Sequence, residues 1–365
     1  MLYLLNIMSK YSMIQCVEGK KMKVSVIGTT GYGGVELLRI LERHPVFHIQ
    51  SIHSSRGEAP LWQEYPHLYQ INDQQLESIE PEKIAEKADL VFLATPSGIS
   101  GQLAAQFAEM NIKVIDLSGD LRIKDRNEYT KWYKHEAAPQ QVINKAVYGL
   151  SEWNHAQIAN AEWISNPGCY STATLLGLAP IIIEDLMDPA SIIVDAKSGT
   201  SGAGRKPSRM NMLSEMSENF KIYKVNEHQH IPEIEQQLLI WNERVKPITF
   251  STHLLPISRG IMATIYVQLQ KEKNISELYE IFQEHYRNSP FIRIRPQGHY
   301  PSVKEVWGSN YCDIGLNLDQ RTGRLTIVSV IDNLMKGAAG QAVQNANIMN
   351  GLDESTGINF IPLYP

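Results

Sequence analysis

The chain has 365 residues, 43% of them hydrophobic and 20% charged, with a formal net charge of −5; this length suits about two globular domains, and the composition excludes a disordered or fibrous chain. With no dense Lys/Arg block, neither a phosphate-backbone binder nor a polybasic membrane-surface protein fits, so a small molecule is the expected partner, with no nucleic acid and no membrane. The longest apolar run, Leu175 to Ile183, falls well short of the ~20 residues a spanning helix needs.

Residues 1–21 begin apolar but lack a basic segment and a small-residue cleavage site, so they read as a disordered extension and not as a signal peptide. The three cysteines, Cys16, Cys169 and Cys312, are far apart, odd in number and without C-x-x-C spacing. Neither a disulfide framework nor a metal site is expected, and a reducing, cytoplasmic setting fits best.

From Met22 a β-rich run leads into a glycine loop, and then Val35, Leu37, Leu38, Ile40 and Leu41 recur at helical spacing. Short strands at 48–53, 90–94 and 113–116 alternate with helical stretches at 81–87 and 100–110. That alternation predicts a parallel sheet in a doubly wound, Rossmann-type α/β domain over residues 22–165. Over 166–330 the texture changes to longer, antiparallel-looking strands at 192–196, 249–255, 262–269 and 325–331, which predicts a second, α+β domain.

The glycine loop, Gly28-Thr29-Thr30-Gly31-Tyr32-Gly33-Gly34, has the spacing G-x-x-G-x-G-G between a strand and a helix. Glycines there permit a tight turn and let backbone N–H groups approach a pyrophosphate, which makes Gly28, Thr30, Gly31, Tyr32 and Gly33 candidate cofactor contacts. A site built for NAD usually ends its second strand in an acidic residue; this chain has His53-Ser54-Ser55-Arg56. Two hydroxyls and a guanidinium at Ser54, Ser55 and Arg56 suit a 2′-phosphate, so NADP(H) is expected over NAD(H). A second loop, Ala94-Thr95-Pro96-Ser97-Gly98, follows a buried strand at the carboxyl edge of the sheet, where such folds bind ligands.

Asn166-Pro167-Gly168-Cys169-Tyr170-Ser171-Thr172 joins an extended run to an apolar helical run beginning near Ala173. Cys169 therefore lands at a helix N-terminus, where partial positive charge is expected to lower its thiol pKa below the free value of ~8.5. A nucleophilic cysteine beside a nicotinamide cofactor suggests acyl chemistry through a thioester, which needs a general acid or base. Asn226-Glu227-His228-Gln229-His230-Ile231-Pro232-Glu233 offers His228 and His230, on one face if the segment is extended; His230, nearer the helix start, is the more firmly held. For an anionic substrate group, Arg205 at the end of Ser198-Gly199-Thr200-Ser201-Gly202-Ala203-Gly204 and Arg259 are the candidates, each of which could instead form an ion pair.

These residues, from Met22 to Pro365, resemble the N-acetyl-γ-glutamyl-phosphate reductases, NADPH-dependent enzymes of arginine biosynthesis. The resemblance rests on Gly28-Thr-Thr-Gly-Tyr-Gly-Gly-Val-Glu-Leu37, Asp116-Leu-Ser-Gly-Asp-Leu-Arg122, Tyr148-Gly-Leu150, Asn166-Pro-Gly-Cys-Tyr170, Ser198 to Arg205, His228-Gln-His-Ile-Pro-Glu-Ile234 and Gly337-Ala-Ala-Gly-Gln-Ala-Val-Gln-Asn345. The family carries Pro where this chain has Ser171. The resemblance implies that segment 331–365 returns to complete the cofactor domain, with Asn333, Ser198 and Gly199 beside the cofactor, and that the second domain serves substrate binding and dimerisation. It adds Arg122 and Asn166 to the substrate-side candidates and implies a homo-oligomer, a dimer or tetramer. The reaction implied is reduction of N-acetyl-γ-glutamyl phosphate to the semialdehyde, with Cys169 displacing phosphate. The alternatives are an aspartate-semialdehyde dehydrogenase, whose usual motifs around the nucleophile match less well, and a non-catalytic NADP-binding protein, which the presence of both Cys169 and the histidine pair disfavours.

Overall fold

The computed structural model describes residues 21 to 364; the expectations for residues 1–20 and Cys16 lie outside the described residues. The first half of the chain builds a parallel sheet from β1 (Met22–Ile27), β2 (Phe47–His53), β3 (Leu76–Glu77), β4 (Leu90–Leu93), β5 (Lys113–Asp116), β6 (Ala146–Tyr148) and β7 (Trp163–Ser165), in the order β3-β2-β1-β4-β5-β7-β6. Val24, Val26, Ile27 and all of β4 are buried because helices cover both faces of a parallel sheet, which explains the unbroken apolar runs in these strands. The covering helices include α1 (Tyr32–Leu41), α2 (Pro81–Lys87), α3 (Ser100–Phe107) and α4 (Ser151–Ala159). Between β1 and α1 the chain turns at Gly28, whose φ is +96° and where a Cβ would lie 2.5 Å from the Ala94 carbonyl oxygen; only glycine fits.

The second sheet contains β8 (Ile193–Gly199), β9 (Lys221–Tyr223), β10 (Thr249–Leu255), β11 (Ile261–Gln268), β12 (Ile292–Ile294), β13 (Cys312–Asp319) and β14 (Arg324–Ile331), ordered β12-β13-β14-β11-β8-β10-β9. It is mixed, which corrects the antiparallel reading of these strands. The run β8-β11-β14-β13 is antiparallel, whereas β8 pairs with β10 and β12 with β13 in parallel. Strands paired in parallel need a crossover between them, and between β8 and β10 the chain passes through β9 and the helix Ile231–Trp241 before rejoining the sheet.

Helix α5 (Cys169–Ile183) is buried on nearly every side, packed against β11, β14 and α6 (Ile231–Trp241). A helix apolar all round belongs inside a core, and α5 begins at Cys169 itself, four residues before the apolar run made it visible. Helix α7 (Ile275–His285), closed by a capping box between Asn274 and Glu277, covers β12 and β13. After β14 the chain turns through Met335–Ala339 into α8 (Gly340–Met349), which packs on α1 and α4 and shares their apolar core. The fully buried Lys336 Nζ fixes this return by bonding Glu152 Oε1 at 2.6 Å and Gln344 Oε1 at 2.7 Å.

No helix among the described residues is long and apolar enough to cross a membrane.

Candidate active site

Strand β7 ends at Ser165, and Gly168, extended at φ −69° and ψ 151°, serves as N-cap of α5 without a side-chain cap. The Asn166-Pro167-Gly168 turn is held from three directions. Asn166 donates to the Ala338 carbonyl at 3.1 Å and accepts from Asn345 Nδ2 at 3.0 Å. Arg122 donates from Nε to the Asn166 carbonyl at 2.7 Å and from Nη2 to that of Leu117 at 2.7 Å. Glu233, fully buried on α6, accepts the Gly168 N–H at 2.8 Å and the Tyr148 hydroxyl at 2.7 Å with Oε1, and meets Arg122 Nη1 at 3.4 Å with Oε2. The C-terminal segment closes in as well, since a Cβ on Gly337 would sit 2.7 Å from the Cys169 Cβ.

Of the two histidines, His230 is the one against the cysteine turn: a Cβ placed on Gly168 would lie 2.5 Å from His230 Nε2. The segment is not extended at this point, because His230 already has helical backbone as N-cap of α6. His228 lies behind it. Its Nδ1 accepts the His230 N–H at 3.1 Å, which places the proton of the neutral ring on Nε2. Burial drives both histidines well below the usual range, reinforced by Arg122 for His230 and by His230 for His228. His230 Nδ1 is buried without a hydrogen-bond partner. A neutral imidazole is thus available to take a proton beside Cys169.

The thiol itself departs from expectation. Burial pushes the Cys169 pKa up to about 11, although Arg122 and the Tyr170 amide act in the opposite direction. Desolvation of a thiolate at this half-buried residue outweighs the partial charge of the helix terminus. Thiolate formation therefore depends on a nearby proton acceptor. Cys312 is buried in β13 beside Ser329 Oγ, at 3.4 Å, with its pKa also pushed up by burial, to about 12. Ser171, buried in the first turn of α5, leaves the start of the helix at Cys169.

The glycine loop offers what a dinucleotide needs. No side chain caps α1 at Gly31, so the N–H groups of its first turn are left for an external acceptor, and beside Gly33 there is open space. Ser54 Oγ lies 3.4 Å from Thr30 Oγ1 and accepts the Arg56 N–H at 3.2 Å, while Ser55 and Arg56 are exposed at the strand end. The Pro96 loop is clamped by Asp120, which accepts N–H bonds from Gly98 and Gly101 and a hydroxyl bond from Tyr129. On the facing domain, Asn333 accepts the Gly260 N–H at 2.8 Å and donates to Ser201 Oγ at 2.9 Å, fixing the loop that follows Ser198 and Gly199. Between Tyr32 and the segment that follows Gly199, with Ser258, Arg259 and Leu334 on its walls, runs a cleft of about 460 Å³.

The four substrate-side candidates all have partners within the chain. Arg122 and Asn166 are committed to the cysteine turn. Arg259 spans the domains, meeting Glu36 on α1 at 2.5 Å and 3.0 Å and Asp332 at 3.3 Å. Arg205 reaches the nucleotide domain, where Nη1 meets Glu64 Oε2 at 2.7 Å and the Thr30 carbonyl at 3.3 Å. Reasoning from sequence missed Glu233 and Tyr148. Glu233 could have been found, since it stands one helical turn after His230, a spacing that puts the two side chains on one face. Tyr148 stands in one of the motifs that carry the resemblance, but nothing in its local pattern assigns it a role.

The model of the semialdehyde dehydrogenase NAD binding domain matches residues 23–161, and that of the semialdehyde dehydrogenase dimerisation domain matches residues 169–333. The N-acetyl-γ-glutamyl-phosphate reductase of Bacillus cereus (strain AH187) is 55% identical over 344 residues, 94% of this chain and 100% of that protein. That of Geobacillus sp. (strain WCH70) is 55% identical over 345 residues, with the same coverage. Among solved structures, aspartate semialdehyde dehydrogenase II of Vibrio cholerae, complexed with ASA, aligns with a TM-score of 0.68 at 18% identity, covering 91% of this chain and 99% of that one. The Candida albicans aspartate semialdehyde dehydrogenase with NADP aligns at 0.65 and 16% identity, with the same coverage. At such identities the structural likeness speaks for the fold alone.

Proposed function

Because the chain belongs to the N-acetyl-γ-glutamyl-phosphate reductase family, a family of oxidoreductases, we propose that it reduces N-acetyl-γ-glutamyl phosphate to N-acetylglutamate semialdehyde and phosphate, a step of arginine biosynthesis, through a thioester on Cys169. His230 takes the thiol proton as the sulfur attacks the acyl carbon, and phosphate leaves. The bound nicotinamide cofactor supplies the hydride that reduces the thioester. Reduction leaves the thiohemiacetal as its oxyanion, and as this collapses to aldehyde and thiolate the protonated His230 returns its proton to Cys169, so both residues are restored. His228 orients His230 through its backbone N–H. The observation that carries this reading is the placement of His230 Nε2 against Gly168, immediately before a cysteine at the start of a buried helix.

The cofactor is NADP(H) in this proposal. Gly28, Thr30, Gly31, Tyr32 and Gly33 hold its pyrophosphate side, Ser54, Ser55 and Arg56 its 2′-phosphate, and Pro96, Ser198, Gly199 and Asn333 line the approach to the second domain. The uncapped N-terminus of α1 and the absence of an acidic residue at the end of β2 support this. Arg122 and Asn166 shape the cysteine turn and do not contact substrate; their occupied polar groups support that assignment. A thiol that must stay reduced supports a cytoplasmic setting, and the match to a dimerisation domain supports a homo-oligomer, a dimer or a tetramer.

The test is phosphate-dependent reduction of NADP⁺ with N-acetylglutamate semialdehyde beside aspartate semialdehyde. Turnover with the first and little with the second is expected. Preference for aspartate semialdehyde would overturn the substrate assignment.

A further inference from the structure

Arg205 leaves the catalytic domain to end among side chains of the nucleotide domain. Its Nη1 meets Glu64 Oε2 at 2.7 Å and its Nη2 the Glu64 carbonyl at 3.1 Å, while its guanidinium lies 4.7 Å over the Tyr65 ring. The same Glu64 oxygen meets Arg56 Nη1 at 3.0 Å. Tyr65 donates to the Thr30 carbonyl at 2.9 Å, and Thr30 contacts Ser54. Two guanidiniums from different domains therefore share one carboxylate oxygen at the end of β2, where a doubly wound fold receives the 2′-position of the cofactor's ribose.

One carboxylate leaves this cluster with a surplus positive charge. A phosphate monoester has close to two negative charges and three acceptor oxygens, enough to serve both forks at once. The Arg56, Arg205 and Glu64 side chains are 54%, 31% and 23% exposed, so their pairing is screened by water and weakly held. Exchange of partner is cheap there.

We propose that Arg205 joins Arg56 in binding the cofactor's 2′-phosphate, and that Glu64 occupies the two guanidiniums until the phosphate displaces it, which makes Glu64 a specificity-determining residue. This rests on the NADP(H) reading above and deepens it: the catalytic domain takes part in recognising the phosphate that separates NADP from NAD.

Calorimetric titration with 2′,5′-ADP and with 5′-AMP tests this without turnover, and thermal melting checks that each variant is folded. Arg205→Ala should weaken 2′,5′-ADP roughly ten- to hundredfold, the loss expected for charge-assisted hydrogen bonds, with 5′-AMP changed by less than about twofold. Arg205→Lys should restore part of the loss. Glu64→Gln should tighten 2′,5′-ADP by about fivefold, the effect of removing one like charge near the surface. If the unmodified protein binds both nucleotides equally, the NADP(H) reading fails. If it discriminates and Arg205→Ala or Glu64→Gln leaves that discrimination unchanged, or Glu64→Gln weakens 2′,5′-ADP, the NADP(H) reading stands and the shared-site proposal is wrong.

Discussion

The Glu233 carboxylate accepts the Gly168 N–H at 2.8 Å, so the residue before Cys169 is pinned by a side chain one helical turn beyond His230. The same carboxylate is the partner of the buried Arg122. Glu233→Gln removes a charge that Arg122 needs and exchanges an acceptor for a donor. Loss of about 3 kcal/mol of stability is expected, as when a buried pair is broken, together with a fall in kcat as the turn loosens. Denaturant unfolding and steady-state kinetics measure the two; an unchanged midpoint would show that Arg122 finds compensation elsewhere.

Gly168→Ala disturbs the His230 contact most directly. Its Cβ would come within 2.5 Å of His230 Nε2 and 2.8 Å of Arg122 Nη1, so both side chains must give way. Turnover should fall by about 10² to 10⁴, the share general acid–base catalysis usually provides, while overpacking costs about 1 to 3 kcal/mol. Near-normal kcat would argue against His230 as the proton acceptor, and His230→Asn with His228→Asn would then show which ring matters.

Cys169 should react slowly with iodoacetamide at neutral pH in the free protein. With its pKa pushed up to about 11 by burial, the thiolate fraction climbs with pH beyond 9. Rates followed by mass spectrometry from pH 7 to 10 should rise throughout; a plateau below pH 8.5 would show that the helix terminus and Arg122 prevail over burial. Cys169→Ser should fold and abolish reduction of the acyl phosphate, whereas Cys312→Ser, inside β13, should remain active.

Arg259→Ala distinguishes a domain latch from a substrate contact. It takes one of two arginines from Glu36, which keeps Arg39 at 2.8 Å, and removes the cation beside the fully buried Asp332, which keeps the N–H groups of Gly308, Leu334 and Met335; a loss of about 2 kcal/mol, within the range for hydrogen bonds to charged groups, is expected. The KM for the acyl phosphate should change little once the protein is folded. A large rise in that KM with unchanged stability would restore Arg259 as an anion-binding residue.

Stability should fall as the solution is acidified below about pH 6.5. His44, His53, His228 and His230 are all held neutral by burial, with pKa values below their usual 6.5. The unfolded chain takes up these protons first, so each histidine lowers stability by at most about 1.4 kcal/mol per pH unit below that point, until its folded pKa is reached. Asp116, raised to about 6 by burial and the neighbouring Asp120, works the other way, as do Asp313, Glu235 and Glu354, whose carboxyls burial also raises, so part of this loss is offset. A lower melting temperature at pH 5.5 than at pH 7.5 is expected; equal values would mean that the buried rings protonate without cost.

Local pattern determined much of this protein. Strand, glycine loop and helix over residues 22–41 are readable because burial on both faces demands an apolar strand and the Gly28 turn admits no side chain. The start of a helix beside Cys169 is readable because Pro167-Gly168 breaks the preceding strand, and the run of apolar residues that follows can only be a buried helix. Tertiary structure decided what those residues face. Whether the Cys169 thiol is acidic depends on how far the turn is desolvated, and the elements that crowd it, α6 and Gly337, lie 60 or more residues away in sequence. The parallel pairing of β8 with β10 depends on a crossover that periodicity within either strand does not record. The partners of Arg205 and Arg259 lie 141 and 223 residues distant, and an arginine's role is set by the carboxylate it meets, which only the folded chain brings to it.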